Sequence, residues 1–171
     1  ILFSHVHIKQ QQYDAAIKHI DRIPELSSAF ASEAWKLLLQ CKSNIDEHSL
    51  ASILVRWLEK TQNTTVALAL ADSIQNEQGA SEAENFILRH IKRNPTMKGF
   101  HRLMTYQLEA MHDDKAAESI SLLRSLVENQ MAVKPVYRCE HCGFSSKVIF
   151  WHCPSCKQWG SISPIQGLDG D

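Results

Sequence analysis

The chain has 171 residues with 18 basic and 19 acidic side chains, a formal charge of −1. That balance excludes a broad electrostatic footprint for nucleic acid or anionic lipid. No apolar run approaches the ~20 residues of a membrane-spanning helix, so any anchor is expected outside this sequence.

The chain opens on Ile1-Leu2-Phe3 without a methionine and reads as a fragment of something longer. Residues 1–133 read as helix after helix. Glycine is nearly absent there, at positions 79 and 99 alone. Apolar residues recur at three- and four-residue intervals, the helical period: Ala16, Ile17, Ile20 and Ile23; Ala34, Trp35 and Leu38; Leu50, Ile53, Leu54, Trp57 and Leu58. The pattern continues through Val66, Leu68, Leu70 and Ile74, then Phe86, Ile87, His90 and Ile91. It ends with Phe100, Leu103, Met104, Leu108 and Met111, and with Ile120, Leu123, Leu126 and Val127. Pro24 and Pro95 are expected to stop helices. Ser27 or Ser28, Asp46, Asn63 or Thr64, Ser81 and Thr96 are expected to start them. The result is about eight helices with short connections, which favour antiparallel neighbours.

Lys18-His19-Ile20-Asp21-Arg22-Ile23-Pro24 resembles Arg89-His90-Ile91-Lys92-Arg93-Asn94-Pro95, 71 residues later. The displacement is close to two units of a ~34-residue helix–turn–helix repeat. Small residues that admit close helix approach stand at Ala15-Ala16, Ala51, Ala83 and Ala116-Ala117. The expected architecture is mainly α, a tetratricopeptide-like helical-pair solenoid, whose usual work is to bind another protein. No Gly-rich phosphate loop, H-E-x-x-H or G-x-S-x-G motif suggests a catalytic residue. Trp35 and Trp57 read as core, and the unpaired Cys41 as a small buried hydrophobe. His101 and His112 are eleven apart, which is no ligand spacing. Glu82/Glu84 and Asp113/Asp114 suit helix N-termini.

The last fifth is different. Cys139 and Cys142 form one C-x-x-C pair, Cys153 and Cys156 another, ten residues apart. Two such knuckles supply four soft ligands in a tetrahedron, the arrangement that suits zinc or a single iron. From Lys134 onward the segment is too short for a self-sufficient apolar core. Metal binding would then supply folding free energy, roughly 10–16 kcal/mol for structural zinc in small domains. An odd cysteine count with this spacing favours thiolate–metal chemistry over disulfides. Gly143 follows the first knuckle and Pro154 stiffens the second. Residues 146–152 read as a strand. Tyr137 and Phe144 are expected to close over the site, with Phe150, Trp151 or Trp159. His141 and His152 read as solvent-facing or as neighbours of the ligands, since four cysteines saturate the tetrahedron. Spacing does not choose between iron and zinc. The domains predicted are helical repeats over 1–133 and a metal-binding module over 134–171. A nucleic-acid-binding ribbon is disfavoured, because Lys134, Arg138, Lys147 and Lys157 are nearly balanced by Glu140, Asp169 and Asp171.

Helical repeats followed by Tyr137-Arg138-Cys139-Glu140-His141-Cys142-Gly143-Phe144, Trp151-His152-Cys153-Pro154-Ser155-Cys156, Trp159 and Pro164-Ile165-Gln166-Gly167-Leu168-Asp169-Gly170 resemble the lipopolysaccharide assembly protein B family of Gram-negative bacteria. His90 through Pro95-Thr96-Met97, Phe100-His101, Leu103-Met104 and Lys134-Pro135 extend the likeness. It covers essentially the whole chain, most specifically the last forty residues. Lys157 departs from the glycine that many rubredoxins carry after the second knuckle. The resemblance implies a non-enzymatic protein with a rubredoxin-type metal domain, usually described as binding iron. It implies one N-terminal transmembrane helix, absent here, and a body on the cytoplasmic side of the inner membrane; this fragment would be soluble. The implied work is that of an adaptor. It promotes degradation of the lipid A-committing deacetylase by the membrane AAA+ metalloprotease, and an inner-membrane lipopolysaccharide sensor opposes it. Only Cys139, Cys142, Cys153 and Cys156 carry over as functional residues. Rubredoxin-type electron transfer or redox sensing is the alternative.

Overall fold

A computed structural model describes residues 1–111 and 114–171. It is mainly helical, with a small three-stranded sheet at the C-terminal end. The helices are α1 (Leu2–Lys9), α2 (Tyr13–Asp21), the one-turn α3 (Ile23–Leu26), α4 (Ala31–Gln40), α5 (Glu47–Thr61), α6 (Thr64–Gln78), α7 (Ala80–Arg93), α8 (Met97–Ala110) and α9 (Asp114–Val133). Short 3-10 turns at Ser28–Phe30 and Lys42–Asn44 flank α4. None of the described helices is long and apolar enough to cross a membrane. His112 and Asp113, named above for a ligand spacing and a first-turn charge, lie outside the described residues.

The chain forms two compact units, Ile1–Ser73 and Ile74–Asp171. In the first, α1 packs on α2, α2 on α4, and α3 on α5. Ala16, Ile20, Ala34, Leu38, Leu54 and Val66 are fully buried. Cys41 is buried too, and desolvation pushes its thiol above the ordinary value. Trp57 is buried as expected and gives its indole N–H to Asp21 Oδ1 at 2.9 Å. A polar handle on a buried indole is satisfied in this way without loss of packing area. Arg56 reaches the same carboxylate at 2.8 Å. Trp35 is only half-buried.

In the second unit α7 packs on α8 and α8 on α9. Ala83, Ile87 and Ile91 face inward on α7. The apolar stripe expected of α9 does form a helix, but none of its residues is fully buried. Leu123 and Leu126 are more than half exposed. A helix packed along one neighbour covers one face, and the stripe on α9 is wider than that face.

Helix starts follow the sequence signals at Asp46, Asn63 and Thr96, whereas Ser81 lies inside α7, whose N-cap is Gly79, and Ser27 and Ser28 open only a 3-10 turn ahead of α4. Asp46 caps α5 by accepting the Ser49 amide, which holds its carboxyl below the usual range. Asn63 Oδ1 accepts the Val66 amide at the start of α6. Thr96 Oγ1 accepts the Gly99 amide at 3.1 Å and caps α8. Pro95 lies in the connection between α7 and α8. Pro24 likewise follows the end of α2 at Asp21, but it is itself buried in the first turn of the next helix, α3. The first turn needs no proline N–H, so proline there both bars continuation of α2 and opens a new helix. The two repeat segments accordingly match at buried Ile20 and Ile91 and diverge at their prolines.

Thr96→Ala is expected to cost about 1 kcal/mol, because it removes a cap that is itself buried. Thr96→Ser should retain most of that stability. Urea unfolding followed by circular dichroism checks both.

Candidate metal centre

The module is built on strand β1 (Tyr137–Cys139), flanked by β2 (Ser145–Ser146) and β3 (Ile162–Pro164) in the order β2-β1-β3. Both pairings are antiparallel, with Tyr137 opposite Ser146 and Cys139 opposite Ile162. The alternating burial of β1 turns Tyr137 and Cys139 inward and Arg138 outward, as a half-buried strand requires.

The two knuckles repeat one hydrogen-bond pattern. In the first, the Cys139 amide donates to Phe144 O at 2.7 Å and the Gly143 amide to Cys139 O at 2.9 Å. In the second, the Cys153 amide donates to Gln158 O at 2.9 Å and the Lys157 amide to Cys153 O at 3.0 Å. Gly143 and Lys157 therefore hold equivalent positions, and both are left-handed, at φ 77° and 62°. Glycine meets this demand without steric cost; Lys157 does not.

These turns bring all four sulfurs within 4.8 Å of one another. The Cys139–Cys156 and Cys142–Cys153 separations are both 3.7 Å. A tetrahedron with metal–sulfur bonds of about 2.3 Å has edges of about 3.8 Å. The donor set and its spacing thus fit one ion bound by four thiolates. Neither His141 nor His152 belongs to this cluster; His152 instead packs at a tilt of 38° against Trp159 with ring centres 4.8 Å apart.

The surroundings favour thiolate at two of the sulfurs. Ser161 Oγ lies 3.2 Å from Cys139 Sγ. That hydroxyl, helped by the His141 and Cys142 amides, lowers the Cys139 thiol to about 6. The Phe144 amide lowers Cys142. At Cys156 the Gln158 amide also pulls downward, but desolvation and the neighbouring cysteine sulfurs outweigh it and push the thiol to about 12. Two thiolates are stabilised, and a further one beside them calls for a cation.

A small core closes the inner side of the site. Tyr137, Cys139, Cys153 and Ile162 are buried together, with Phe144, Ile149 and Cys156 packed against them. Phe150 meets Phe144 edge to face at 6.2 Å. Trp151 is half-buried, whereas Trp159 is 75% exposed and does not cover the site. The strand expected over 146–152 is also corrected. Pairing stops at Ser146, whose hydroxyl turns onto Val148 O at 2.5 Å. Of the remaining residues only His152 makes a bridge, to Trp159. The apolar run carries the chain from one knuckle to the other, and that path bends away from β1. Ser161 and Ile162 escaped sequence reading, because neither belongs to a ligand spacing or a marked apolar run.

Residues 137–164 match the family described as rubredoxin metal binding domain. Over 171 residues the chain is 35% identical to lipopolysaccharide assembly protein B of Escherichia coli strain K12, covering 99% of this chain and 44% of that protein. It is 30% identical over 170 residues to the Haemophilus influenzae Rd protein of the same name, again covering 99% of this chain and 43% of that protein. Along nearly its whole length this chain is similar to lipopolysaccharide assembly protein B. It spans less than half the length of these relatives, and the similarity embraces helices and metal module alike.

Gly143→Ala adds a side chain to a left-handed residue and is expected to weaken metal retention about fivefold or more, as read by chelator competition. Lys157→Gly should retain metal at least as well as the parent. Acid should release it. The folded module lowers Cys139 from 9.0 to about 6. The preference for the folded thiolate is therefore full above the ordinary value and lost as pH falls through about 6. Protons competing for all four sulfurs act in the same direction. Stepwise acidification with a colorimetric chelator should show metal release rising as pH falls.

Proposed function

We propose that this chain is part of a non-enzymatic adaptor that restrains lipopolysaccharide synthesis. The observation that carries the reading is identity of 30–35% along the whole chain to proteins named for lipopolysaccharide assembly. In this reading residues 1–133 form a tetratricopeptide-like binding surface. Residues 134–171 form the metal module, where Cys139, Cys142, Cys153 and Cys156 hold one iron or zinc ion. The partners are the inner-membrane AAA+ metalloprotease and the lipid A-committing deacetylase, brought together so that the deacetylase is degraded. An inner-membrane lipopolysaccharide sensor opposes the adaptor. The parent protein would sit on the cytoplasmic side of the inner membrane, held by a helix outside this sequence.

The chemistry of the site supports a structural role. Four thiolates complete a tetrahedron and leave no position for substrate. The chain's own residues orient the sulfurs through the knuckle amides and exclude water from Cys139 and Cys153, which are buried. A second reading, one-electron transfer or redox sensing at iron, draws on the exposure of Cys142. An iron–thiolate centre would supply a one-electron couple, and an exposed sulfur would give electrons a short path. Iron in protein purified from its native host, with a reversible potential, would support this reading. Its absence would sink it.

The deciding experiment measures deacetylase half-life in the presence of the membrane protease and the full-length, membrane-anchored parent. Wild type should shorten the half-life. Cys139→Ser/Cys142→Ser should lose metal and the acceleration together. No acceleration by wild type would remove the adaptor reading. Acceleration retained by the metal-free variant would leave the adaptor and make the metal dispensable to it.

A further inference from the structure

We propose that the segment Ile165–Asp171 is a clasp that couples the state of the four-thiolate centre to the first turn of α8. The inference rests on the reading that the four cysteines hold a metal. It adds a route by which that metal governs helical structure.

The segment continues directly from β3. Ile162 pairs with Cys139, Pro164 with Tyr137, and the Ile165 amide donates to Val136 O at 2.8 Å. Beyond Ile165 the chain closes into a tight loop. The Asp171 amide donates to Ile165 O at 3.3 Å, the Gly167 amide to Asp171 O at 3.0 Å, and the Gly170 amide to Gly167 O at 3.0 Å. Gly170 lies so close to the Ile165 carbonyl that any Cβ there would collide with it. The loop is therefore a shaped element, with its shape set partly by where β3 delivers Ile165.

Three contacts fasten this loop to the helices of its own unit. Leu168 O accepts the Met97 amide at 2.9 Å. The Lys98 ammonium meets Asp171 Oδ1 at 2.7 Å, and the Asp171 side chain is only 4% exposed. Lys134, just past α9, pairs with Asp169. The first contact is the informative one. Met97 begins α8, and a first-turn amide has no carbonyl partner within its own helix. Thr96 Oγ1 satisfies Gly99; the loop satisfies Met97.

The coupling follows from the size of the sheet. β1 is joined to β3 along three residues and to β2 along two. Ladders this short are not independently stable in water. The metal-bound knuckles must hold Cys139, and with it β1, in register with Ile162. If the four sulfurs part, β3 loses its partner and Ile165 its anchor. The loop then has no fixed origin, and the Met97–Leu168 and Lys98–Asp171 contacts are lost. Because α8 packs against both α7 and α9, disorder in its first turn reaches the packing of both neighbours.

Amide hydrogen exchange on the full chain tests the clasp, with metal content measured on the same samples. Wild type reconstituted with Zn(II) should hold one ion per chain and protect the Met97 amide. Removal of the metal, by chelator or by Cys139→Ser/Cys142→Ser, should speed Met97 exchange roughly tenfold. Amides of α5 should not change. A chain lacking 167–171 should keep its metal yet show the same fast exchange at Met97, and Lys98→Ala should move it part of the way. Bound metal with Met97 exchange unmoved by its removal would overturn the clasp alone. Unchanged exchange in the chain lacking 167–171 would do the same. A wild-type chain that takes up neither Zn(II) nor Fe(II) would overturn the metal reading and the clasp together.

Discussion

Convergence of four cysteine sulfurs within 4.8 Å is the constraint on which the C-terminal module depends. Its apolar core is four buried residues, two of them the cysteines themselves. So little buried surface does not offset the conformational entropy of ordering the chain. The other elements are consequences of presenting sulfur. β1 places Cys139, one left-handed residue follows each knuckle, and amides point at three of the four sulfurs. The His141, Cys142 and Phe144 amides within the first knuckle bias Cys139 and Cys142 towards the charged state that a metal needs.

The helical part obeys a different rule. Its stability comes from apolar faces and from local completion of helix ends, as at Asp46, Asn63 and Thr96. One buried polar group inside it is tied off by a side chain from another helix. Asp21 serves both the buried indole of Trp57 and the half-exposed Arg56. The indole contact matters more, since a buried donor left unpaired is costly whereas an exposed ion pair adds little.

The two kinds of structure meet where the loop after β3 reaches α8. An ordinary cap would come from the residue just before the helix, and Thr96 supplies one. The Met97 amide takes its partner from Leu168 instead, far along the chain. Contacts between distant residues make one region's order depend on another's. In an adaptor this would allow a metal that never touches a partner to decide whether a partner surface is formed. Burial of the Asp171 side chain beside Lys98 strengthens that dependence, because a shielded ion pair is screened less by salt than an exposed one.

Much of this was present in the linear sequence. Helical periodicity, the caps at Asp46 and Thr96, the glycine after Cys142 and the two C-x-x-C pairs are local signals. Local sterics and short-range hydrogen bonds act within a few residues, so a linear reading captures them. The resemblance to lipopolysaccharide assembly protein B reached further along the chain than spacing could. Tertiary structure decided the rest. It buried Pro24 in a helical turn, left the leucines of α9 half exposed, ended β2 at Ser146 and turned Trp159 to solvent. It brought Ser161 to Cys139 and Leu168 to Met97. These outcomes depend on which surfaces face one another after the chain has closed. No local pattern encodes that, because the partner in each case lies many residues away.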